Sequence, residues 1–364
     1  MAEAKTRNIS FPRYAEYNCA FKYIVEQALG CRYVMPPPLT KRTMELGTKY
    51  SPDFVCTPFK TMLGSMIESL EAGADTLLMT HGLCRLGYYG ELLEQILRDL
   101  GYQFDFINLS DYDMSKKKEY IRIVRRFNPK VNPARFLTQF MEGVHMVEYL
   151  DEITAEYYQN VGFDATGGQY RQAYQDFLTT MYTAQAKSDV EEGYRTARRS
   201  LRAVPLDKPR RPLKVGIVGE FYTAMDAFSN LEIEQKLADM RVEVHRWMNV
   251  TNQFLNYGSD RFGAGQKNLR VKIRDLCQYD MGPTSTANIW YARECAERGF
   301  DGIIHIKSAT CTPEIDVMPV LQNISADYKI PVLYLTYDAQ TSDVGLMTRL
   351  EAFYDMIDMR KKVL

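Results

Sequence analysis

The spacing of apolar residues in the first hundred positions alternates between a helical and a strand-like pattern. Residues 17–29 have helical spacing and stop at Gly30, a residue type that commonly terminates helices. ADTLLMT, over residues 74–80, is a continuous apolar run of the kind found in buried parallel strands. The predicted elements are, in order, helix 17–29, strand 31–35, helix 58–73, strand 74–80, helix 88–101 and strand 102–109. Strands alternating with helices across short glycine-bearing turns predict a parallel, doubly wound sheet in residues 1–110.

Residues 111–205 have a different pattern. Residues 135–203 are nearly free of strand-like runs and carry Phe, Met, Tyr and Leu at helical spacing. The stretch RRSLRAVPLDKPRRPLK, at 198–214, has the proline and arginine content of a linker. Its basic charge would also suit RNA, but a solvated linker is the favoured interpretation. We therefore predict a helical segment and linker between two α/β domains.

The alternating pattern returns from residue 206 onward. The predicted elements are strand 213–222, helix 230–240, strand 242–248, helix 286–299, strand 299–311, strand 330–338 and helix 344–360. Their order resembles that of the first hundred residues, although the two halves show no overall sequence repeat. The sequence thus predicts an α/β protein with two parallel-sheet domains, 1–110 and 206–364, joined by the helical segment.

Composition excludes several classes of protein. Apolar residues make up 46% and charged residues 25%, which is typical of a soluble globular protein and not of a disordered one. Lys+Arg 45 against Asp+Glu 46 leaves a net charge of −1, without the basic surplus of a nucleic-acid binder. No apolar run approaches the roughly 18 residues of a membrane helix, and residues 1–11 do not resemble a signal peptide. We expect a cytoplasmic protein with no nucleic-acid or membrane partner.

Cysteine and histidine spacing gives no compact metal motif. None of the seven cysteines forms a C-x-x-C pair, so zinc-ribbon and thioredoxin interpretations lack support. A disulfide framework is not expected in a cytosolic chain of this size. The four histidines include no H-E-x-x-H, and G-I-V-G-E lacks the G-x-G-x-x-G spacing of NAD-binding turns.

Three cysteines share a context that the other four lack. Cys84 and Cys311 follow predicted buried strands, and Cys56 lies just before Pro58, which suits the first turn of a helix. Ligands of parallel sheets bind at the carboxyl ends of strands, and a helix N-terminus favours the metal-binding thiolate form. Spacing alone leaves open that these are three unrelated loop cysteines. The remaining four are interpreted as structural, namely Cys19, Cys31, Cys277 and Cys295.

Three blocks of the sequence, at 36–106, 219–246 and 308–356, resemble a known family. They are similar to the acyl-CoA dehydratase activase-related proteins, also called CoA-protein activases. These belong to the 2-hydroxyacyl-CoA dehydratase and benzoyl-CoA reductase superfamily, which includes the double-cubane cluster proteins. The blocks occur in the family's order and cover both predicted α/β halves.

The resemblance implies two Rossmann-like domains plus a helical part, with an iron–sulfur cluster held by three cysteines in the inter-domain cleft. The family's thiols fall on Cys56 in V-C-T-P-F-K, Cys84 in C-R-x-G-Y-Y and Cys311 in T-C-x-P-E. The cluster is [4Fe–4S] in the dehydratases and a double-cubane [8Fe–9S] in other members. The implied partners are a second subunit, in a homo- or heterodimer, and an actin/Hsp70-type ATPase activase that carries its own cluster. A CoA thioester or another small molecule is the implied substrate class.

Three further residues are candidates, each with a structural alternative. Arg85, next to Cys84, is a candidate for cofactor binding through the cluster's charge or a sulfide, or is an ordinary surface arginine. Glu220, at the end of the strand G-I-V-G-E, is a candidate proton carrier or caps the next helix. His81 is a candidate acid or base or a hydrogen-bonded loop histidine, and the second interpretation is favoured.

The leading hypothesis is an iron–sulfur protein for ATP-coupled low-potential electron transfer, reduction or dehydration. The alternative is a non-catalytic cluster carrier or maturation factor in a larger complex. A zinc or metal-free binding protein is the third hypothesis. The chain has no G-x-x-x-x-G-K-[ST] motif, although actin-type ATPases lack that motif too. Two α/β halves and a helical middle already account for the 364 residues, so we expect a separate ATPase and no ATP hydrolysis by this chain alone.

Overall fold

The structure, a computed structural model, describes residues 7–79, 89–109, 116–256, 266–279, 281–282 and 284–363. The chain divides into two compact units. Unit 1 comprises Met1–Val55, Phe59–Leu150 and Phe177–Thr196, and unit 2 comprises Cys56–Pro58, Asp151–Asp176 and Ala197–Leu364. The helices of the predicted middle segment, residues 111–205, therefore contribute residues to both units. No helix in the described ranges is long and apolar enough to cross a membrane.

Unit 1 is built on a four-stranded parallel sheet with the strand order β2-β1-β3-β4. The strands are β1 (Asn8–Ser10), β2 (Arg32–Tyr33), β3 (Thr76–Met79) and β4 (Asp105–Asn108). The helices that lie wholly in this unit are α1 (Asn18–Tyr23), which continues as a π-helix (Ile24–Ala28), α2 (Lys41–Tyr50), α4 (Tyr89–Asp99) and α5 (Lys117–Phe127). Its core packs Ile9 and Ile107 of the sheet against Val25 of the π-helix and Val124 of α5.

Four helices contribute residues to both units. They are α3 (Thr57–Glu71), α6 (Pro133–Asn160), α7 (Gln169–Thr183) and α8 (Lys187–Ala203), and a short 3₁₀ helix (Val161–Phe163) follows α6. The helical pattern predicted for residues 135–203 is confirmed by the last three of these helices.

Unit 2 is built on a second four-stranded parallel sheet with the order β6-β5-β7-β8. The strands are β5 (Leu213–Gly219), β6 (Val242–Arg246), β7 (Gly302–Ser308) and β8 (Val332–Tyr337). The helices are α9 (Phe221–Met225), α10 (Ile233–Asp239), a π-helix (Thr251–Asn256), α11 (Gln266–Lys272), α12 (Ser285–Glu297), α13 (Thr312–Tyr328) and α14 (Asp343–Val363). Both sheets place the first strand in chain order between the second and the third. The predicted class, α/β with two Rossmann-like parallel sheets, is confirmed.

The two faces of the second sheet are covered by different helices. On one face, Val215 and Ile217 of β5 pack with Leu237 of α10 and Leu350 of α14 in a buried apolar cluster. On the other face, Gly216 lies against α12, where a Cβ atom would come within 2.3 Å of the Cys295 sulfur. Cys295 is therefore a packing residue of the sheet–helix interface, as its place in an amphipathic helix indicates.

A cluster of charged side chains surrounds buried Glu243 of β6 and links this strand to β5 and to the segment before it. Glu243 accepts from His245 Nε2 (2.7 Å) and lies 2.9 Å from Lys208 Nζ and 3.2 Å from Lys214 Nζ. Burial raises the pKa of Glu243, but these three neighbours outweigh it and lower the pKa to about 2.

Replacing Glu243 with glutamine is expected to destabilise unit 2 by about 3 kcal/mol at pH 7. The folded-state pKa lies below the unfolded value, so this stabilisation is present above about pH 4.5 and disappears as the pH falls towards about 2. Both tryptophans, Trp247 and Trp290, lie in unit 2, so urea unfolding followed by tryptophan fluorescence reports on that unit. The same change at exposed Glu351 is the control. A stability difference that stays constant from pH 7 to pH 3 would contradict the assignment.

Candidate functional site

The strand order of unit 2 defines where a ligand site is expected. In open parallel sheets, ligands bind at the carboxyl ends of neighbouring strands where the order of connection reverses. That point lies between β5 and β7, because β6 is on one side of β5 and β7 is on the other. β5 ends at Gly219 and β7 ends at Ser308. The residues that follow these two strands therefore form the candidate site.

Cys311 follows β7 and begins a helix. It is the N-cap residue of α13, and its backbone N–H donates to the Ser308 carbonyl oxygen (3.1 Å) across a tight turn. Pro313 lies in the first turn of that helix, where its missing N–H costs no hydrogen bond. Cys311 itself is partly exposed.

Cys56 has the same local setting, because it directly precedes α3 and Pro58 lies in that helix's first turn. Both cysteines begin the same tripeptide, Cys-Thr-Pro. This repeat is a signal that the sequence analysis did not use. Cys56 is also partly exposed.

Hydrogen bonds join the first residue of α3 to the ends of two strands in unit 2. The Thr57 N–H donates to Ser308 Oγ (2.9 Å), the two hydroxyl oxygens lie 3.0 Å apart, and Thr57 Oγ1 donates to the Tyr337 carbonyl oxygen (3.2 Å). Thr57 and Ser308 are both buried. These bonds place Cys56 at the carboxyl end of β7. The bonded residues, Thr57 and Ser308, are 251 positions apart in the sequence.

The thiol of Cys311 lies in an anionic environment. Burial raises its pKa, and the charges of Glu220, Glu314 and Cys56 raise it further, while a hydrogen bond from the Glu314 backbone N–H acts in the opposite direction. The argument that a helix N-terminus favours the thiolate therefore does not hold at Cys311, because burial and the two carboxylates outweigh the dipole.

Glu220 caps α9. It is buried, and its carboxylate accepts from the backbone N–H groups of Tyr222 (2.9 Å) and Thr223 (2.8 Å) and from the Thr223 hydroxyl (2.6 Å). The capping interpretation of Glu220 is thus shown by the structure. A role as a proton carrier stays a prediction.

A buried polar network behind Cys311 was missed by the sequence analysis. Glu314 accepts from Thr284 Oγ1 (2.8 Å) and Asn288 Nδ2 (2.9 and 3.0 Å), and it shares a hydrogen bond with His305 Nε2 (2.8 Å). All four side chains are buried. The available signal was His305, a polar residue inside the apolar run G-I-I-H-I-K-S, because a buried histidine requires a hydrogen-bonding partner.

Three predicted site residues, His81, Cys84 and Arg85, lie outside the described residues. The strand that precedes them, β3, is described, and it is the third strand in chain order of its sheet, as β7 is in unit 2. Cys84 and Cys311 therefore follow topologically equivalent strands.

The described thiols fit part of an iron–sulfur site. Within the described ranges, no group of three Cys, His, Asp or Glu side chains is placed to hold a metal ion. Cys56 and Cys311 provide two soft sulfur donors at one sheet edge, and iron–sulfur clusters are bound by cysteine thiolates. They match two of the three ligands that the resemblance implies.

No protein-family model matches this sequence, and no curated protein matches it with significant similarity.

Proposed function

We propose that this chain is an iron–sulfur protein that transfers low-potential electrons in an ATP-coupled reduction or dehydration. Cys56, Cys84 and Cys311 are its cluster ligands in this proposal. The observation that carries it is the placement of Cys56 at the carboxyl end of β7 by the Thr57–Ser308 hydrogen bonds, beside the helix that begins with Cys311. Cys56 and Cys311 are distant in sequence, and each precedes a Thr-Pro helix start at the carboxyl end of β7, where parallel sheets bind ligands.

The chain's own residues have defined tasks in this proposal. Cys56 and Cys311 bind iron as thiolates, and Cys311 releases its proton when it does so, because a metal-bound thiol is deprotonated. The cluster supplies one-electron redox chemistry. Cys56, Cys84 and Cys311 would hold the cluster with one thiolate fewer than the four that a [4Fe–4S] cluster usually has. Arg85 is a donor for hydrogen bonds to a cluster sulfide.

Two observations favour electron transfer over acid–base catalysis at this site. The oxygens of Glu220 accept three hydrogen bonds from α9. The oxygens of Glu314 accept from Thr284 and Asn288 and share a hydrogen bond with His305. Since internal partners occupy both carboxyl groups, the geometry favours electron transfer, and the proton-carrier role of Glu220 stays a prediction.

The resemblance extends the proposal to partners. The electron donor is a separate actin/Hsp70-type ATPase that carries its own cluster, and the chain works as a homo- or heterodimer. A CoA thioester or another small molecule is the final electron acceptor.

Purification under strictly anaerobic conditions tests the proposed function. The protein is expected to be brown, with about four iron atoms per chain for [4Fe–4S] or about eight for [8Fe–9S], and with sulfide in matching amount. After reduction with Ti(III) citrate, electron paramagnetic resonance should show a signal from a reduced cluster. A colourless, iron-free protein, or one that holds zinc instead, would contradict the proposal.

A further inference from the structure

Ser308 is hydrogen-bonded to the chain beside both described cluster thiols. Its hydroxyl oxygen accepts from the backbone N–H of Thr57 (2.9 Å), the residue after Cys56. Its carbonyl oxygen accepts from the backbone N–H of Cys311 (3.1 Å). The last residue of β7 therefore holds the two cysteine-bearing segments through two different atoms, and it is only 1% exposed.

The bond from Thr57 to Ser308 satisfies a donor that α3 cannot satisfy by itself. Thr57 is the first residue of α3, and the N–H groups in the first turn of a helix have no partner within the helix. Side chains close to the helix start usually accept from such groups. Here the acceptor is a hydroxyl oxygen from a distant part of the chain, so the start of α3 is anchored to the second sheet.

The hydroxyl groups of Thr57 and Ser308 form a chain of hydrogen bonds with a defined direction. The Thr57 hydroxyl donates to the Tyr337 carbonyl oxygen (3.2 Å), which can only accept. The single proton of the Thr57 hydroxyl is then used, so Ser308 is the donor across the 3.0 Å between the two hydroxyl oxygens. Both residues are buried, where an unmade hydrogen bond is costly.

The end of β8 belongs to the same network. The Tyr337 carbonyl oxygen also accepts from the Ala309 N–H (3.0 Å), in the turn between β7 and Cys311. The start of α3, the end of β8 and the turn that leads to Cys311 are therefore joined by one set of hydrogen bonds.

The two Cys-Thr-Pro segments differ in the burial of their threonines. Thr57, which follows Cys56, is 6% exposed and belongs to the network. Thr312, which follows Cys311, is exposed, and its side chain forms no hydrogen bond with another described residue. The same residue type in the same tripeptide is thus a buried network member in one segment and a surface residue in the other.

We propose that Ser308 and Thr57 are positioning residues, which fix the spacing of the two cysteine segments before any iron is bound. This inference rests on the proposed function, because the spacing serves the site only if both thiols bind one cluster. Ligands that the fold already holds in place lose little further conformational freedom when the metal binds, so the metal is retained more strongly. The charge of Cys56 contributes to the raised pKa of the Cys311 thiol, as expected for two thiols near each other.

Chemical bridging of the metal-free protein tests this spacing. Dibromobimane joins two thiols only when they lie close together, and mass spectrometry of the digested protein identifies the bridged pair. The wild type is expected to give a Cys56–Cys311 bridge. Ser308→Ala and Thr57→Val should each lower its yield by at least about fivefold, since each removes a buried hydrogen bond of the network.

Two further variants distinguish positioning from a general loss of stability. Thr57→Ser keeps the hydroxyl and the backbone N–H, so it should give the wild-type yield. Thr312→Val is the matched control, because it is the same change in the other Cys-Thr-Pro segment, and it should leave the yield unchanged. The iron content of anaerobically purified protein should follow the same order, with losses in Ser308→Ala and Thr57→Val alone.

The outcomes separate this inference from the proposed function. A wild-type protein without iron ends the proposed function, and the bridging yields still decide whether the two residues set the spacing. A wild type that gives no bridge, or Ser308→Ala and Thr57→Val variants that give the wild-type yield, would overturn the inference even in a protein that holds iron. An equal drop in Thr312→Val would overturn it as well. If Ser308→Ala does not fold, Thr57→Val decides on the same two measurements.

Discussion

Replacing Cys56 or Cys311 with alanine is expected to lower the iron content of anaerobically purified protein by at least about tenfold. In the proposed site, each thiolate supplies one of the bonds that hold the cluster. A cluster with only two thiolate ligands would be lost during purification. Iron and sulfide counting, with the visible absorption spectrum, measures the effect.

Cys295→Ala is the matched control for the cluster ligands. Cys295 is a fully buried cysteine of the same unit, but it packs against Gly216 in the interior of the sheet–helix interface. Its replacement should reduce stability by on the order of 1 kcal/mol and leave the iron content unchanged. Cys19→Ala provides the equivalent control in unit 1. The ligand assignment is wrong if a Cys19 variant loses its iron while a Cys311 variant keeps it.

Asn288→Asp is expected to destabilise unit 2 by roughly 4 kcal/mol at pH 7. The change removes the donor that serves both the Gly219 carbonyl oxygen and Glu314. It also places a second carboxyl group in contact with the buried carboxyl group of Glu314. Asn288→Ala removes the same hydrogen bonds without adding a charge, and we expect it to cost about half as much.

The pH dependence distinguishes charge repulsion from the loss of hydrogen bonds. Two carboxyl groups in contact repel each other when both are charged, and a proton on either one relieves the repulsion. The extra destabilisation of Asn288→Asp over Asn288→Ala is therefore present at pH 7 and shrinks as the pH falls towards about 4. Urea unfolding followed by tryptophan fluorescence measures both variants. An aspartate variant as stable as the alanine variant would contradict the expected charge repulsion.

The fold was predictable wherever an element buries a long apolar run. The apolar runs that form β3, β5, β7 and β8 contain few polar positions. A strand of this kind can be predicted from its own residues alone. β1 was missed because it has only three residues. α2 was missed because its completely buried positions are Thr43 and Gly47, which give no apolar stripe. It packs through close backbone contact instead, since a Cβ atom on Gly47 would lie 1.8 Å from the Lys60 carbonyl oxygen.

The surroundings of Cys311 show where the sequence analysis failed. No helix was predicted between the strands 299–311 and 330–338, whereas α13 occupies this stretch and Pro313 lies in its first turn. By its position in the sequence, Glu314 looks like an ordinary acidic residue near a helix N-terminus, which is usually exposed. Glu314 is buried against Asn288 from α12 and His305 from β7. No local sequence pattern indicates that these residues lie close together.

The sequence by itself determined the α/β class and the two parallel sheets. It also placed Cys56 and Cys311 at loop positions beside glycine or proline. These features were predictable because apolar periodicity and turn residues act over a few neighbouring positions. Only the tertiary structure decided that the two thiols belong to one unit, that Glu220 caps a helix, and that the pKa of Cys311 is raised. Those properties depend on burial and on charges contributed by separate elements. A thiol's ionisation is set by what the whole fold packs around it, and not by its neighbours along the chain.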